Sequence, residues 1–183
     1  MLKALEGIIH EFEESSRNSA IRIISHYDTD GITSAAIMAR ALQREDKKFS
    51  VTIVKQLETS FIEQLKKSIG KNQKEMLIFL DLGSSSLEML SEIPADIFVF
   101  DHHEIKSDIK TLNSIRLRFI NPHLFNEEVS AAGVVYLFAK LLLKPDHYVD
   151  ESFFVLQVIT FLQMKIKWNK VLLRQDYLPK LNK

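Results

Sequence analysis

The chain has 183 residues, 46% hydrophobic and 26% charged, enough for one domain with a full core. Its 24 basic and 24 acidic side chains balance, so the molecule as a whole has no electrostatic footprint for nucleic acid, and any such contact must use a local patch. The absence of cysteine excludes disulfides and thiolate metal sites, and no apolar run reaches the about 18 residues that span a bilayer. The N-terminus lacks the basic and apolar regions of a signal peptide, so a cytoplasmic location and no membrane partner are the expectation.

Residues 2–15 place Leu2, Leu5, Ile8, Ile9 and Phe12 at helical spacing and predict an amphipathic helix. A first strand over 21–25 runs into His26-Tyr27-Asp28-Thr29-Asp30-Gly31. A helix over about 33–44 follows, with Thr33 or Ser34 as its cap. A second strand at 50–54 precedes a helix from Glu58 to Ile69, which Gly70 stops. The strand at 76–80 runs into Asp81-Leu82-Gly83, and the strand at 97–100 into Asp101-His102-His103. After a last strand at 117–120, an apolar helix from Ser130 to Leu143 opens on small residues and ends before Pro145. Phe153 to Met164 reads as a further helix against the sheet.

This alternation predicts an α/β fold, a mainly parallel sheet of about five strands flanked by helices on both faces. One domain over 1–164 is expected, with a basic C-terminal tail at 165–183. In that tail Lys165, Lys167, Lys170, Arg174, Lys180 and Lys183 face only Asp176, which fits a solvated terminus or a nucleic-acid patch.

Parallel sheets bind ligands beyond the C-terminal ends of their strands. If the three motif strands are neighbours, Asp28, Asp30, Asp81 and Asp101 converge there with His26, His102 and His103. Carboxylates so crowded repel one another, and divalent cations remove that cost. Two cations bridged by one carboxylate form a clamp for in-line attack on phosphorus. Asp81, on the middle motif strand in chain order, takes the bridging role. A mixed carboxylate–imidazole set suits two Mn²⁺ ions, with Mg²⁺ possible and zinc less suited.

Taken singly, an Asp at a strand end is ordinarily a turn or cap residue, and Asp28-Thr29-Asp30-Gly31 alone fits a capped turn. The joint pattern at three strand ends carries the metal reading; His10, His123 and His147 have no such context. Gly31, Gly83 and Gly133 sit beside the site, where a missing Cβ lets backbone approach a ligand. Neither GxGxxG nor GxxxxGK[ST] occurs, which argues against dinucleotide and P-loop nucleotide binding.

These residues, in this order, resemble the DHH phosphoesterase superfamily over about residues 18–140. Ser25 to Ala36 looks like its first motif, Asp81-Leu82-Gly83 its second and Asp101-His102-His103 its third. Ile120-Asn121-Pro122-His123 with Ser130-Ala131-Ala132-Gly133-Val134 is similar to the segment that follows. The wording is nearest to archaeal RecJ-like proteins, a group that includes single-strand exonucleases and relatives of the replication factor Cdc45.

The resemblance implies a two-Mn²⁺ phosphoesterase without a covalent intermediate. His26 (or its neighbourhood), Asp28 and Asp81 would hold one metal; Asp30, Asp81 and His102 the other. Members with a firm histidine ligand place it further before the first Asp than His26 stands. His103 would contact the scissile phosphate and Asp101 would orient the histidines, both as catalytic residues. The helix N-terminus at Ser130, Ala131 and Gly133 would offer N–H groups to phosphate oxygens.

Two departures stand out. The family supplies another Asp ligand after the Ser-Ala-Ala-Gly helix, whereas residues 154–164 contain no acid, and Asp146 and Asp150 come early. The second substrate-binding domain of RecJ-like proteins is expected to be absent, and the tail after Leu156 suggests a truncated or altered form of a longer protein.

The leading expectation is therefore a manganese-dependent exonuclease acting on single-stranded DNA or RNA in replication or repair. A catalytically weak Cdc45-like module that docks to a replication-complex protein is the alternative, favoured by both departures. A small-molecule phosphoesterase fits the absence of global basic charge. Asp28-Thr29-Asp30-Gly31 also resembles the nucleophile motif of haloacid-dehalogenase phosphatases, but Asp-His-His has no role in that chemistry.

Overall fold

The computed structural model describes residues 1–70, 74–106 and 116–143. The chain runs α1 (Leu2–Ser16), β1 (Ala20–His26), α2 (Thr29–Arg44), β2 (Phe49–Val54), α3 (Thr59–Ser68) and β3 (Glu75–Leu80). It continues through α4 (Leu87–Ser91), β4 (Asp96–Phe100), β5 (Leu117–Ile120), a 3-10 turn (Pro122–Phe125) and α5 (Ala131–Leu142). Among the described residues all strand pairings are parallel, in the order β2-β1-β3-β4-β5. The expected five-stranded α/β architecture is thus the observed one. The helix expected over 153–164, the tail, Asp146 and Asp150 lie outside the described residues.

Side chains alternate across a strand, so a strand covered on both faces must be apolar throughout. β3 meets that demand. Met76, Ile78 and Leu80 enter a cluster with α1, α2 and α5, including Phe12, Met38, Leu42 and Phe138. Leu77 and Phe79 enter the opposite cluster with Ile62, Leu65, Leu87 and Leu90 from α3 and α4. On the first face Phe12 packs edge-on against Phe98 and Phe138, with ring centroids 5.0 and 4.8 Å apart. Among the described residues no helix is long and apolar enough to cross a membrane.

Two local differences from the sequence reading bear on the site. The helix expected from residue 33 begins at Thr29 with Asp28 as its cap, the carboxylate accepting from Gly31 N–H at 2.9 Å. Thr33 and Ser34 lie inside the second turn, where the Thr33 hydroxyl donates back to the Thr29 carbonyl at 2.7 Å. What reads as a strand-end turn is therefore the first turn of α2, held against β1. A Cβ on Gly31 would stand 2.3 Å from the His26 carbonyl oxygen, so this approach requires glycine. The short α4 and the 3-10 turn carry no sequence periodicity and were not expected.

Candidate metal centre

From β1 the chain crosses first to β2 on one side and later to β3 on the other. The C-terminal ends of β1 and β3 therefore flank the point where strand order reverses, the place in such sheets where a crevice opens. His26 ends β1, Asp81 follows β3, and Asp101 follows β4. The Asp81 N–H still donates to the Phe100 carbonyl at 2.9 Å, and the Asp101 N–H to the Ile120 carbonyl at 3.1 Å. Both carboxylates thus hang from the last rung of the sheet.

Asp81 is 1% exposed and lies between two groups of side chains. Its Oδ2 is 3.3 Å from His26 Nδ1, which is itself 3.0 Å from Asp28 Oδ2. Its Oδ1 is 3.2 Å from His102 Nε2 and 3.8 Å from His103 Nδ1. The two sets that could share a cation, His26–Asp28–Asp81 and Asp81–His102–His103, each keep their candidate ligand atoms within 4.8 Å of one another, and Asp81 belongs to both. Asp81 Oδ1 accepts no hydrogen bond despite its burial; the His102 contact is close but poorly directed. A buried, orphaned carboxylate oxygen among imidazoles and carboxylates is a donor set that fits divalent cations. Asp81 also adopts φ 59°, a left-handed conformation that aspartate tolerates better than most residues.

Burial raises the Asp81 carboxyl to about 6; His102 opposes that rise, while Asp30 and Asp28 reinforce it. Asp101 behaves oppositely. Burial pushes it up, but bonds from His103 and from Ser84 outweigh this and hold it at about 2. Its Oδ1 accepts from the His103 ring at 2.7 Å and from the N–H groups of His102 and His103 at 2.8 and 3.2 Å; its Oδ2 accepts from Ser84 N–H at 2.8 Å. The bond to Asp101 raises His103 to about 9, against partial burial. For His102, burial lowers the pKa, but Asp81 and Asp30 reverse this and leave it raised. Asp28 is lowered: burial acts upward and is overcome first by the Gly31 N–H.

The structure brings His26, Asp28, Asp81, Asp101, His102 and His103 together, and it gives Asp30 a further partner. The Ala131 and Ala132 N–H groups donate to its two carboxylate oxygens at 2.8 and 2.9 Å, and its Oδ2 lies 3.5 Å from His102 Nε2. Asp30 thus occupies the α5 N-terminus, a favourable place for an anion. The Gly133 N–H donates to Ser130 Oγ at 3.2 Å. Of the N–H groups expected to meet phosphate, that of Ala131 is therefore taken by the Asp30 carboxylate and that of Gly133 by the Ser130 hydroxyl.

A cleft of about 170 Å³ beside the centre is lined by His26, Asp81, Asp101 and His103 and by Lys55 and Gln56 after β2. The sequence names Asn121 only within the Ile120-Asn121-Pro122-His123 segment, with no role of its own, and gives none to Lys55 or Ser84. The signal for two of them was positional, since Lys55 and Asn121 each follow a strand end, as the three motifs do.

Residues 20–159 match the DHH family, N-terminal domain, and the chain belongs to this family. It is 37% identical over 147 residues to an uncharacterized protein of Methanocaldococcus jannaschii, covering 76% of this chain and 33% of that protein. Among solved structures, exonuclease RecJ bound to manganese aligns with a TM-score of 0.69 at 20% identity, over 88% of this chain and 43% of the other. Cdc45 from Entamoeba histolytica aligns with a TM-score of 0.68 at 18% identity, over 88% and 34% respectively. The chain thus spans about a third of the M. jannaschii relative and less than half of either structure.

Proposed function

We propose that this DHH domain carries a metal-dependent phosphodiesterase centre of the RecJ-like type that hydrolyses the ends of single-stranded DNA or RNA. The observation that supports it above all is Asp81, one buried carboxylate facing two sets of ligands with an oxygen left unbonded. His26, Asp28 and Asp81 would hold one cation; Asp81 and His102 would hold the other with Asp30, whose Oδ2 lies 3.5 Å from His102 Nε2, in place of His103, whose Nδ1 is engaged by Asp101 at 2.7 Å. The donor mix favours Mn²⁺, with Mg²⁺ as the alternative. Two such cations supply Lewis acidity and charge neutralisation for displacement at phosphorus.

The protein's own groups do the rest. In the metal-free fold the bond to Asp101 raises His103 to about 9, which favours the imidazolium. One ring proton faces Asp101 from Nδ1, and the other, on Nε2 across the ring, donates to a phosphate oxygen. Asp101 keeps its charge and fixes the ring. Lys55 lines the same cleft and draws the flanking phosphate toward it.

A second reading, a Cdc45-like module that binds a replication protein, draws support from a fold likeness equal to that with RecJ. Incubation with 5′-labelled single-stranded DNA and RNA plus Mn²⁺, beside Asp81→Asn, separates the two. Cleavage by the wild type alone is expected. Intact substrate in both, or equal cleavage in both, would defeat the hydrolytic reading.

A further inference from the structure

Asn121 has no part in the chemistry above, yet it is fully buried at the end of β5. Its Oδ1 accepts from His123 N–H at 3.0 Å and caps the 3-10 turn. Asp, Ser or Thr would serve there equally well. Only an amide also supplies two donors, and both are used at long range in sequence. Nδ2 donates to Ser84 Oγ at 3.0 Å and to the His103 carbonyl at 2.8 Å. Ser84 N–H reaches Asp101, and Asp101 accepts from the His103 ring and N–H. The bonds close a ring, Asn121–Ser84–Asp101–His103, through the loops after β3, β4 and β5. His103 is gripped at three points: ring, N–H and carbonyl.

We propose that Asn121, acting with Ser84, is a positioning residue that clamps the His103 backbone so that its imidazole keeps one orientation toward the cleft. This rests on the reading that His103 meets the substrate phosphate. A displacement of about 1 Å at such a group can cost on the order of a hundredfold in rate. A networked amide prevents it, because losing one bond strands a buried partner.

Asn121→Ser retains a capping oxygen but cannot reach Ser84 or His103. Ser84→Ala removes one link and leaves the amide in place. The first readout is hydrogen exchange at the His102 and His103 amides in metal-free protein, against the amides of β1 and β3. The second is kcat and KM for bis(p-nitrophenyl) phosphate at saturating Mn²⁺, with Mn²⁺ affinity by calorimetry. For Asn121→Ser, exchange at His102 and His103 rises about tenfold or more while β1 and β3 keep their protection. Its kcat falls about tenfold or more, with KM and Mn²⁺ affinity within about threefold. Ser84→Ala shows a smaller change of the same kind, and it carries the test if Asn121→Ser does not fold. Unchanged exchange at His102 and His103, or a uniform rise over the whole sheet, overturns the clamp. A wild type without Mn²⁺-stimulated hydrolysis defeats the phosphodiesterase reading, and the exchange data then decide the clamp alone.

Discussion

Asp101 and His103 sit 2.7 Å apart with their pKa values pushed in opposite directions, to about 2 and about 9. Asp101 is depressed in the fold, so its contribution is present above the unfolded carboxyl value and is lost as pH falls toward 2. His103 is raised, so its contribution is complete below about 6.5 and is lost as pH rises through 9. The pair therefore stabilises most between about pH 4 and 6.5. In EDTA, the melting-temperature gap between wild type and Asp101→Asn should be widest in that window and narrow toward pH 9. A gap independent of pH would mean that the pair does not titrate as a unit. His103 is half exposed, so solvent screening keeps this effect modest.

At the scale of elements, the strands were legible because short β-prone runs recur between helical patterns, three of them stopping at acid or histidine clusters, and the structure ends them within a residue or two of the expectation. The start of α2 was not legible. Asp28-Thr29-Asp30-Gly31 reads equally as a turn, and only the close approach of Gly31 to the His26 carbonyl makes it a helix seated on β1. That approach makes a firm prediction. Gly31→Ala, with its Cβ 2.3 Å from a backbone oxygen, must push α2 off β1. A loss of about 3 kcal/mol in urea unfolding is expected. Mn²⁺ affinity should fall further still, because Asp28 and Asp30 move with the helix. A neutral Gly31→Ala would show that β1 and α2 yield freely. The bonds of Ser84 and Asn121 were not legible for a different reason. Their partners lie 37 and 18 residues away from Asn121, and no spacing rule joins a loop serine to a loop asparagine. The α5 N-terminus was legible as an anion site, but the anion proved to be Asp30, 101 residues from Ala131.

For the whole molecule, the centre sets stability against charge. Asp81 titrates near 6 in the fold and near 3.8 when free, so the folded state holds the extra proton. Stability then declines as pH rises through that interval, and the deficit is complete above it. A bound cation reverses the sign by stabilising the carboxylate. Millimolar Mn²⁺ should therefore raise the melting temperature more at pH 7.5 than at pH 4.5, and Asp81→Asn should flatten this difference. An equal rise at both values would place the bound ion elsewhere. The cluster of acids and histidines was readable because parallel strands bring their C-terminal ends to one edge; that β1, β3 and β4 lie side by side there is what the sheet order adds.

The left-handed backbone at Asp81 carries one more implication. Glycine would sit there without conformational penalty and would remove a carboxyl that the apo fold is reluctant to ionise. On the proposed reading, position 81 is a place where heat tolerance and chemistry pull apart: a screen for ruggedness alone would favour glycine, a replacement that, like Asp81→Asn, removes the shared ligand. Engineering a hardier version of this domain should begin by freezing that codon.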